Sequence, residues 1–236
     1  MNVHRKIITL NIEDFSTRKI AWWNDCVFLF DTVNPAVVQL ASDYSVVGRL
    51  PLKEVKKIDA VLFDRDSLII ADSLGHRIHC LGVTRAPGSP AALSGYTGYP
   101  LPVNAVMAAA FFAADRYLFL DKNTCMICVY DPDFNEIKTV GSRMGYVQLY
   151  EDEESQRLGF EFPGDMAMVG DRVVVSDFDR SLMAVSLEYG FLVMEESDYP
   201  VDFFQSFCDG RRSLVGSEHG NELVELELPG ISVERI

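Results

Sequence analysis

An all-β chain, built from four-stranded meanders set side by side around an axis as the blades of a β-propeller, is the architecture this sequence predicts. Three observations lead there. One pattern recurs five times along the 236 residues: an apolar run, an Asp or Ser, several turn-forming residues, and a second apolar run. The apolar runs are continuous rather than alternating, which suits strands buried on both faces. The breaks between runs are rich in Asp, Asn and Gly, the residues of tight turns.

The recurring pattern reads VFLFDTVNPAVVQL, SLIIADSLGHRIHCL, YLFLDKNTCMICVY, VVVSDFDRSLMAVS and SLVGSEHGNELVELEL, with anchors at Asp31, Asp72, Asp121, Asp177 and Ser217. The anchors stand 41, 49, 56 and 40 residues apart, so units of this size fill the chain five times. About ten residues before each anchor lies another apolar segment, KIAWW, DAVLF, AVMAAAFF, DMAMV or DFFQSF, and strand-like pieces such as SVVGRL, EIKTVG, FLVMEE and ISVERI follow. Each unit therefore reads as four short strands. A meander of this kind cannot bury both faces alone, but blades stacked around an axis bury each sheet against its neighbours. The anchor carboxylates are expected to accept backbone N–H bonds in the turns that follow them.

One further strand, Arg5 to Ile12, precedes the first unit and is expected to pair with the outer edge of the last blade, joining the two ends of the chain. The whole of 1–236 then forms a single domain, interrupted by two long inter-blade loops at about 83–102 and 144–157. Loops of that length are commonly functional. The first is dense in Pro, Gly and Ser and carries Tyr96 and Tyr99; the second carries Tyr146, Tyr150 and the acidic run Glu151, Asp152, Glu153 and Glu154. These eight residues are the candidate partner-binding set, the tyrosines being of the type enriched at interfaces.

The stretch Asp66-Ser-Leu-Ile-Ile-Ala-Asp-Ser-Leu-Gly-His-Arg-Ile resembles the core of an NHL repeat, and Phe162-Pro-Gly-Asp-Met-Ala-Met-Val-Gly-Asp-Arg-Val-Val-Val-Ser-Asp resembles its opening. The resemblance implies a β-propeller used as a binding platform. Six units are commoner in that family, so six blades stand as the alternative to the five that the spacing supports.

Charge and chemistry narrow the function. With 21 Lys and Arg against 35 Asp and Glu, the formal charge of −14 argues against nucleic acid and anionic membranes as partners. No apolar stretch reaches the roughly 20 residues that span a bilayer, so no membrane insertion is expected. The N-terminal stretch is too short for a signal-peptide core, and five scattered cysteines suit a reducing compartment; a cytoplasmic location is expected. Cys125 and Cys128 have C-x-x-C spacing but lie in a strand, where residues three apart face opposite ways. His76, His79 and Cys80 meet the same objection and read as an edge-of-blade contact or exposed turn. No catalytic set, metal site or cofactor motif is predicted.

The function expected is a non-catalytic protein-interaction platform or assembly subunit, its protein partner unidentified. The enzymatic alternative is a metal-dependent propeller hydrolase similar to the gluconolactonase and regucalcin group, where a divalent ion sits in the central tunnel on oxygen ligands. That group's glutamate-before-proline-tryptophan motif is not seen around Trp22 and Trp23.

Overall fold

The computed structural model describes residues 5–10, 12, 17–24, 26–86, 89–113, 115–141, 160, 163–169, 172–176, 182–186, 190–193, 212–216 and 222–227. Among them are strands but no helix, and so no helix long and apolar enough to cross a membrane. The strands form five antiparallel sheets. The first contains β2 (Thr17–Trp23), β3 (Cys26–Asp31), β4 (Ala36–Leu40) and β5 (Val46–Pro51). The second contains β6 (Ala60–Asp64), β7 (Ser67–Asp72), β8 (Arg77–Thr84) and β9 (Ala92–Pro100). The third contains β10 (Met107–Ala113), β11 (Arg116–Asp121), β12 (Met126–Tyr130) and β13 (Glu136–Val140). The fourth contains β14 (Asp165–Val169), β15 (Arg172–Ser176), β16 (Leu182–Ser186) and β17 (Gly190–Val193). In all four, strands pair in chain order, as meanders do. The fold is a β-propeller.

The fifth sheet combines the first described strand with the last two. Its described strands are β18 (Arg212–Gly216), β19 (Glu222–Glu227) and β1 (Arg5–Thr9), in the order β1-β19-β18. The expected pairing of the N-terminal strand with the last unit is present, with one difference. Arg5 to Thr9 run directly against Leu226 to Glu222, so β1 pairs with β19 itself, at the edge of the three described strands. The segment ISVERI lies outside the described residues, as do DFFQSF, Asp177 and Ser217.

The sheets stack because consecutive residues of one strand feed two different cores. Along β3, Cys26, Phe28 and Phe30 enter a cluster shared with Leu68 and Ile70 of β7, while Val27 and Leu29 enter another shared with Leu10, Ile12 and Ile20. Along β7, Ile69 and Ala71 face the third sheet, meeting Tyr117 and Phe119 of β11. Leu118 and Leu120 face the fourth, meeting Met166, Val173 and Val175. In the first three sheets the second and third strands are thus apolar on both sides, which is why the sequence runs are continuous. Fully burying a Phe or Leu in this way contributes about 1.5–3 kcal/mol, and Phe28, Phe30, Phe119, Leu29 and Leu68 are all fully buried. Cys128, on β12, sits in one of these clusters and Cys125 packs against the other, so the C-x-x-C pair is split; Cys125, however, lies in the turn before β12 with φ of 53°, so the turn and not strand parity parts them.

The anchor aspartates tie the turns as expected. Asp31 Oδ1 accepts from the backbone N–H groups of Val33 (2.9 Å) and Asn34 (3.0 Å). Asp121 accepts from Asn123 N (3.0 Å) and the Thr124 hydroxyl (2.8 Å), and reaches back to Val106 N (3.0 Å) ahead of β10. Asp72 accepts from Gly75 N (2.7 Å) and from Lys56 N (2.8 Å), and its Oδ2 meets His79 Nε2 at 3.1 Å. Gly75 is required there, because a Cβ would fall 2.5 Å from Asp72 Oδ2. An anchor therefore fixes its own turn and, at Asp72 and Asp121, the loop that delivers the innermost strand.

Two expectations need correction. The segment 83–102 is not a long loop: most of it is the end of β8 and all of β9, the fourth strand of the second sheet. Its outward side chains are exposed and need no apolar pattern, so the strand is invisible as a hydrophobic run. His79 is also no edge contact, being 1% exposed and paired with Asp72, whereas His76 does lie exposed in a turn.

Substituting Asp72 by Ala removes one acceptor from three donors in a buried site, and should cost about 2–4 kcal/mol in urea unfolding. A loss no larger than that of an exposed surface substitution would contradict this role.

Candidate functional site

The first strands of the sheets converge on the axis: β2 neighbours β6, β6 neighbours β10, β10 neighbours β14, and β18 approaches β2. β2, β6, β10 and β14 line a cavity of about 330 Å³. Register shows which of its residues are equivalent. Lys19 pairs with Phe30, Ala60 with Ala71, Ala109 with Leu120 and Asp165 with Ser176, and each partner immediately precedes an anchor. One layer of the channel thus presents a lysine, two alanines and an aspartate from four successive sheets. Ile20, Val61, Ala110 and Met166 lie next along the channel, and Trp22, Phe63, Phe111 and Phe112 approach its other end.

Two strands are irregular at this layer. The register of β2 shifts between Thr17 and Lys19, and that of β10 between Met107 and Ala109, so Arg18 and Ala108 have no partner on the next strand. Bulges of this kind re-aim side chains and release backbone groups from pairing. The Lys19 amine donates a hydrogen bond to the Ala108 carbonyl, linking the first sheet to the third across the channel.

Burial pulls the Lys19 amine below its ordinary pKa; the Asp165 carboxylate opposes this, Lys122 reinforces it and Asp59 opposes it. Burial pushes Asp165 up to about 6, against the opposing pull of Lys19 and of the Met166 N–H, which donates to Asp165 Oδ1 at 2.8 Å. The desolvation of both groups is the price of placing charge where sheets converge. Asp59, at the same mouth, accepts from Ser73 N (2.7 Å) and pairs with Lys57 Nζ at 2.5 Å. Toward the other end, the Tyr117 hydroxyl donates to Asp64 Oδ2 at 2.7 Å, and burial raises the Tyr117 pKa. No three His, Cys, Asp or Glu side chains come together as a metal centre among the described residues. The channel layer offers the Lys19 amine at a position where a cation would need an oxygen ligand.

The face of the ring around Lys19 and Asp165 is also where the anchor turns stand. Val33 and Leu74, each two residues after an anchor, are 66% and 62% exposed, and Val103, in the connection leading to β10, is 72% exposed. Asn123 of the third anchor turn donates to the Asn104 carbonyl beside Val103, which places Val103 on the same face. Among the described residues the other large apolar side chains left exposed, Val46, Tyr96 and Ile137, belong to the fourth strands β5, β9 and β13.

Of the eight residues predicted to bind a partner, Tyr96 is 42% exposed on β9, with its ring 5.5 Å from that of His79. Tyr99 packs against Phe134 at 4.6 Å between the second and third sheets. Tyr146, Tyr150, Glu151, Asp152, Glu153 and Glu154 lie outside the described residues. Sequence reasoning passed over Lys19 and Asp165. The available signal was a charge opening an otherwise apolar innermost strand, in KIAWW and DMAMV.

No family model matches this chain, and no curated protein does. Solved structures do. A glutaminyl cyclase from Myxococcus xanthus is similar with a TM-score of 0.61 at 11% identity, over 98% of this chain and 97% of that one. Virginiamycin B lyase from Staphylococcus aureus gives 0.58 at 10% identity, over 97% and 100%. A candidate 6-phosphogluconolactonase from Bacteroides uniformis gives 0.50 at 13% identity, over 83% and 62%. At such identities the likeness is one of fold, and it agrees with the propeller architecture.

The raised Asp165 pKa has a consequence for stability. Because the folded state binds this proton more tightly than the unfolded chain, Asp165 favours folding at pH 4 and loses that contribution as pH rises through about 6. Asp165→Asn should therefore gain stability relative to the parent as pH goes from 4 to 7, measured by thermal melting across that range. A difference between the two proteins that is flat with pH would contradict the assignment.

Proposed function

We propose that the chain is a protein-interaction platform whose docking face is the one bearing the anchor turns and the channel mouth. The observation that carries this is the placement of Val33, Leu74 and Val103, the three most exposed large apolar side chains described, in turns and connections of that single face. Turn tips are ordinarily polar, and apolar side chains grouped on one surface suit a protein partner that covers them. The described residues that flank the acidic segment in the chain stand on the same face. Val140, pairing with Ile127 beside the third anchor turn, and Asp165, at the channel mouth, are the last described residue of β13 and the first of β14, and Glu151 to Glu154 lie between them in the chain. The partner that fits is a protein with an apolar surface bordered by basic residues. Among the described residues Cys26, Cys80 and Cys128 are free thiols, and burial pushes Cys80 and Cys128 up to about 12, which keeps these two unreactive and suits a platform working in the cytoplasm.

The metal-dependent hydrolase alternative draws support from propeller likeness alone, and likeness of fold does not carry activity.

The test is capture of partners from the native source by the intact chain and by the Val33→Asp, Leu74→Asp, Val103→Asp triple variant, compared by mass spectrometry. Point substitutions are needed, because deleting 85–100 would remove β9 from its sheet. The triple variant should lose the specific partner while its melting temperature stays within a few degrees of the parent, and capture by the intact chain should weaken with salt. Undiminished capture by the variant would overturn the assignment of the face.

A further inference from the structure

We propose that the channel is a binding site for a small carbonyl compound, an aldehyde or ketone with an apolar or aromatic body, held as a reversible imine on Lys19 Nζ with Asp165 as the proton donor. The proposal is independent of the docking face and requires no turnover.

Four features of the channel converge on this chemistry. The cavity, about 330 Å³, lies within the size range of small-molecule sites. Its equivalent positions are filled unequally: where β2 and β14 supply Lys19 and Asp165, β6 and β10 supply Ala60 and Ala109, so room is left beside the two functional groups. The bulge at Ala108 frees a carbonyl that takes a hydrogen bond from the Lys19 amine, aiming that amine across the channel. Beyond the alanines, Trp22, Phe63, Phe111 and Phe112 offer apolar walls to the rest of the ligand. A lysine placed in a poorly solvated pocket is the usual arrangement for imine formation, because the neutral amine is the nucleophile. Burial lowers the Lys19 pKa and raises that of Asp165, so the amine is more available as a base-free nucleophile and the carboxyl more available as an acid than either would be in water. Asp59 and Lys122 also act on the amine and largely oppose one another.

The step balances without any further reactant. The neutral Lys19 amine adds to the carbonyl carbon, forming a C–N bond while the carbonyl π electrons move to oxygen, and a proton passes from nitrogen to that oxygen. Protonated Asp165 then donates to the resulting hydroxyl, which leaves as water as the nitrogen lone pair forms the C=N bond. The products are a protonated imine on Lys19, an Asp165 carboxylate as its counter-ion, and one water. The N–H of the protonated imine can keep its hydrogen bond to the Ala108 carbonyl. Hydrolysis by the reverse steps releases the ligand.

Reductive trapping tests this on the full chain. The protein is incubated with benzaldehyde, reduced with cyanoborohydride, digested, and mapped by mass spectrometry across its seven lysines. Lys19 should be labelled faster than the exposed Lys53, Lys56 and Lys122, and Asp165→Asn should slow that labelling by about a hundredfold, the lower end of what one positioned proton donor contributes. Lys19→Arg, which keeps the charge, should abolish the adduct. The map of the unaltered protein decides the matter even if a variant misfolds: labelling of Lys19 no faster than that of the exposed lysines overturns the proposal. Labelling of Lys19 that is unchanged in Asp165→Asn overturns the step as written.

Discussion

Everything in this structure follows from the need to bury both faces of every sheet. A four-stranded meander whose second and third strands are apolar on both sides has no stable solution alone. Packing it against one neighbour covers one face and leaves the other open, so each sheet requires a neighbour on either side. The described clusters show this chain of dependence directly, since Phe28 and Leu29, adjacent in sequence, belong to different cores, as do Ile69 and Ile70. The pairing of β1 with β19 belongs to the same logic, because it gives the last described sheet a strand from the beginning of the chain.

Stacking also dictates where function can sit. Sheets packed face to face around an axis bring their first strands together, so whatever those strands carry is concentrated in one narrow space and stripped of much of its water. Alanine is the undemanding occupant of that layer, and Ala60 and Ala109 fill it on two sheets. A lysine and an aspartate at the matching positions of two others are costly, and their cost is reduced by their action on one another and by the hydrogen bonds to the Ala108 carbonyl and from the Met166 N–H. At the rim the constraint relaxes. The anchor turns are held by Asp31, Asp72 and Asp121, and this leaves the residues between them, Val33 and Leu74 among them, available for contacts outside the domain.

How much of this was legible beforehand depended on how strongly each feature was tied to burial. The second and third strands announce themselves, because two buried faces demand unbroken apolar runs such as VFLF, LIIA and YLFL. The anchor turns were legible for the same local reason, an Asp whose carboxylate serves the next few N–H groups. β9 was not, because a fourth strand at the outer edge has little to bury and its Gly, Ser and Tyr composition reads as a loop. The tie between His79 and Asp72 was hidden because strand parity says which way a histidine faces and nothing of what awaits it there. The channel pair was hidden for a deeper reason. Lys19 and Asp165 are far apart in the chain, and only the register of β2 on β3 and of β14 on β15 reveals that they occupy the same level.

The meeting of those two residues in one channel is the claim on which the account rests, and a double-mutant cycle measures it. Urea unfolding of the parent, Lys19→Met, Asp165→Asn and the double variant at neutral pH gives the coupling energy between the two positions. The stacked arrangement predicts a favourable coupling of about 0.5–3 kcal/mol, the range of side chains that act on one another directly. Additive effects, within about 0.3 kcal/mol, would mean that Lys19 and Asp165 do not act on one another across the channel.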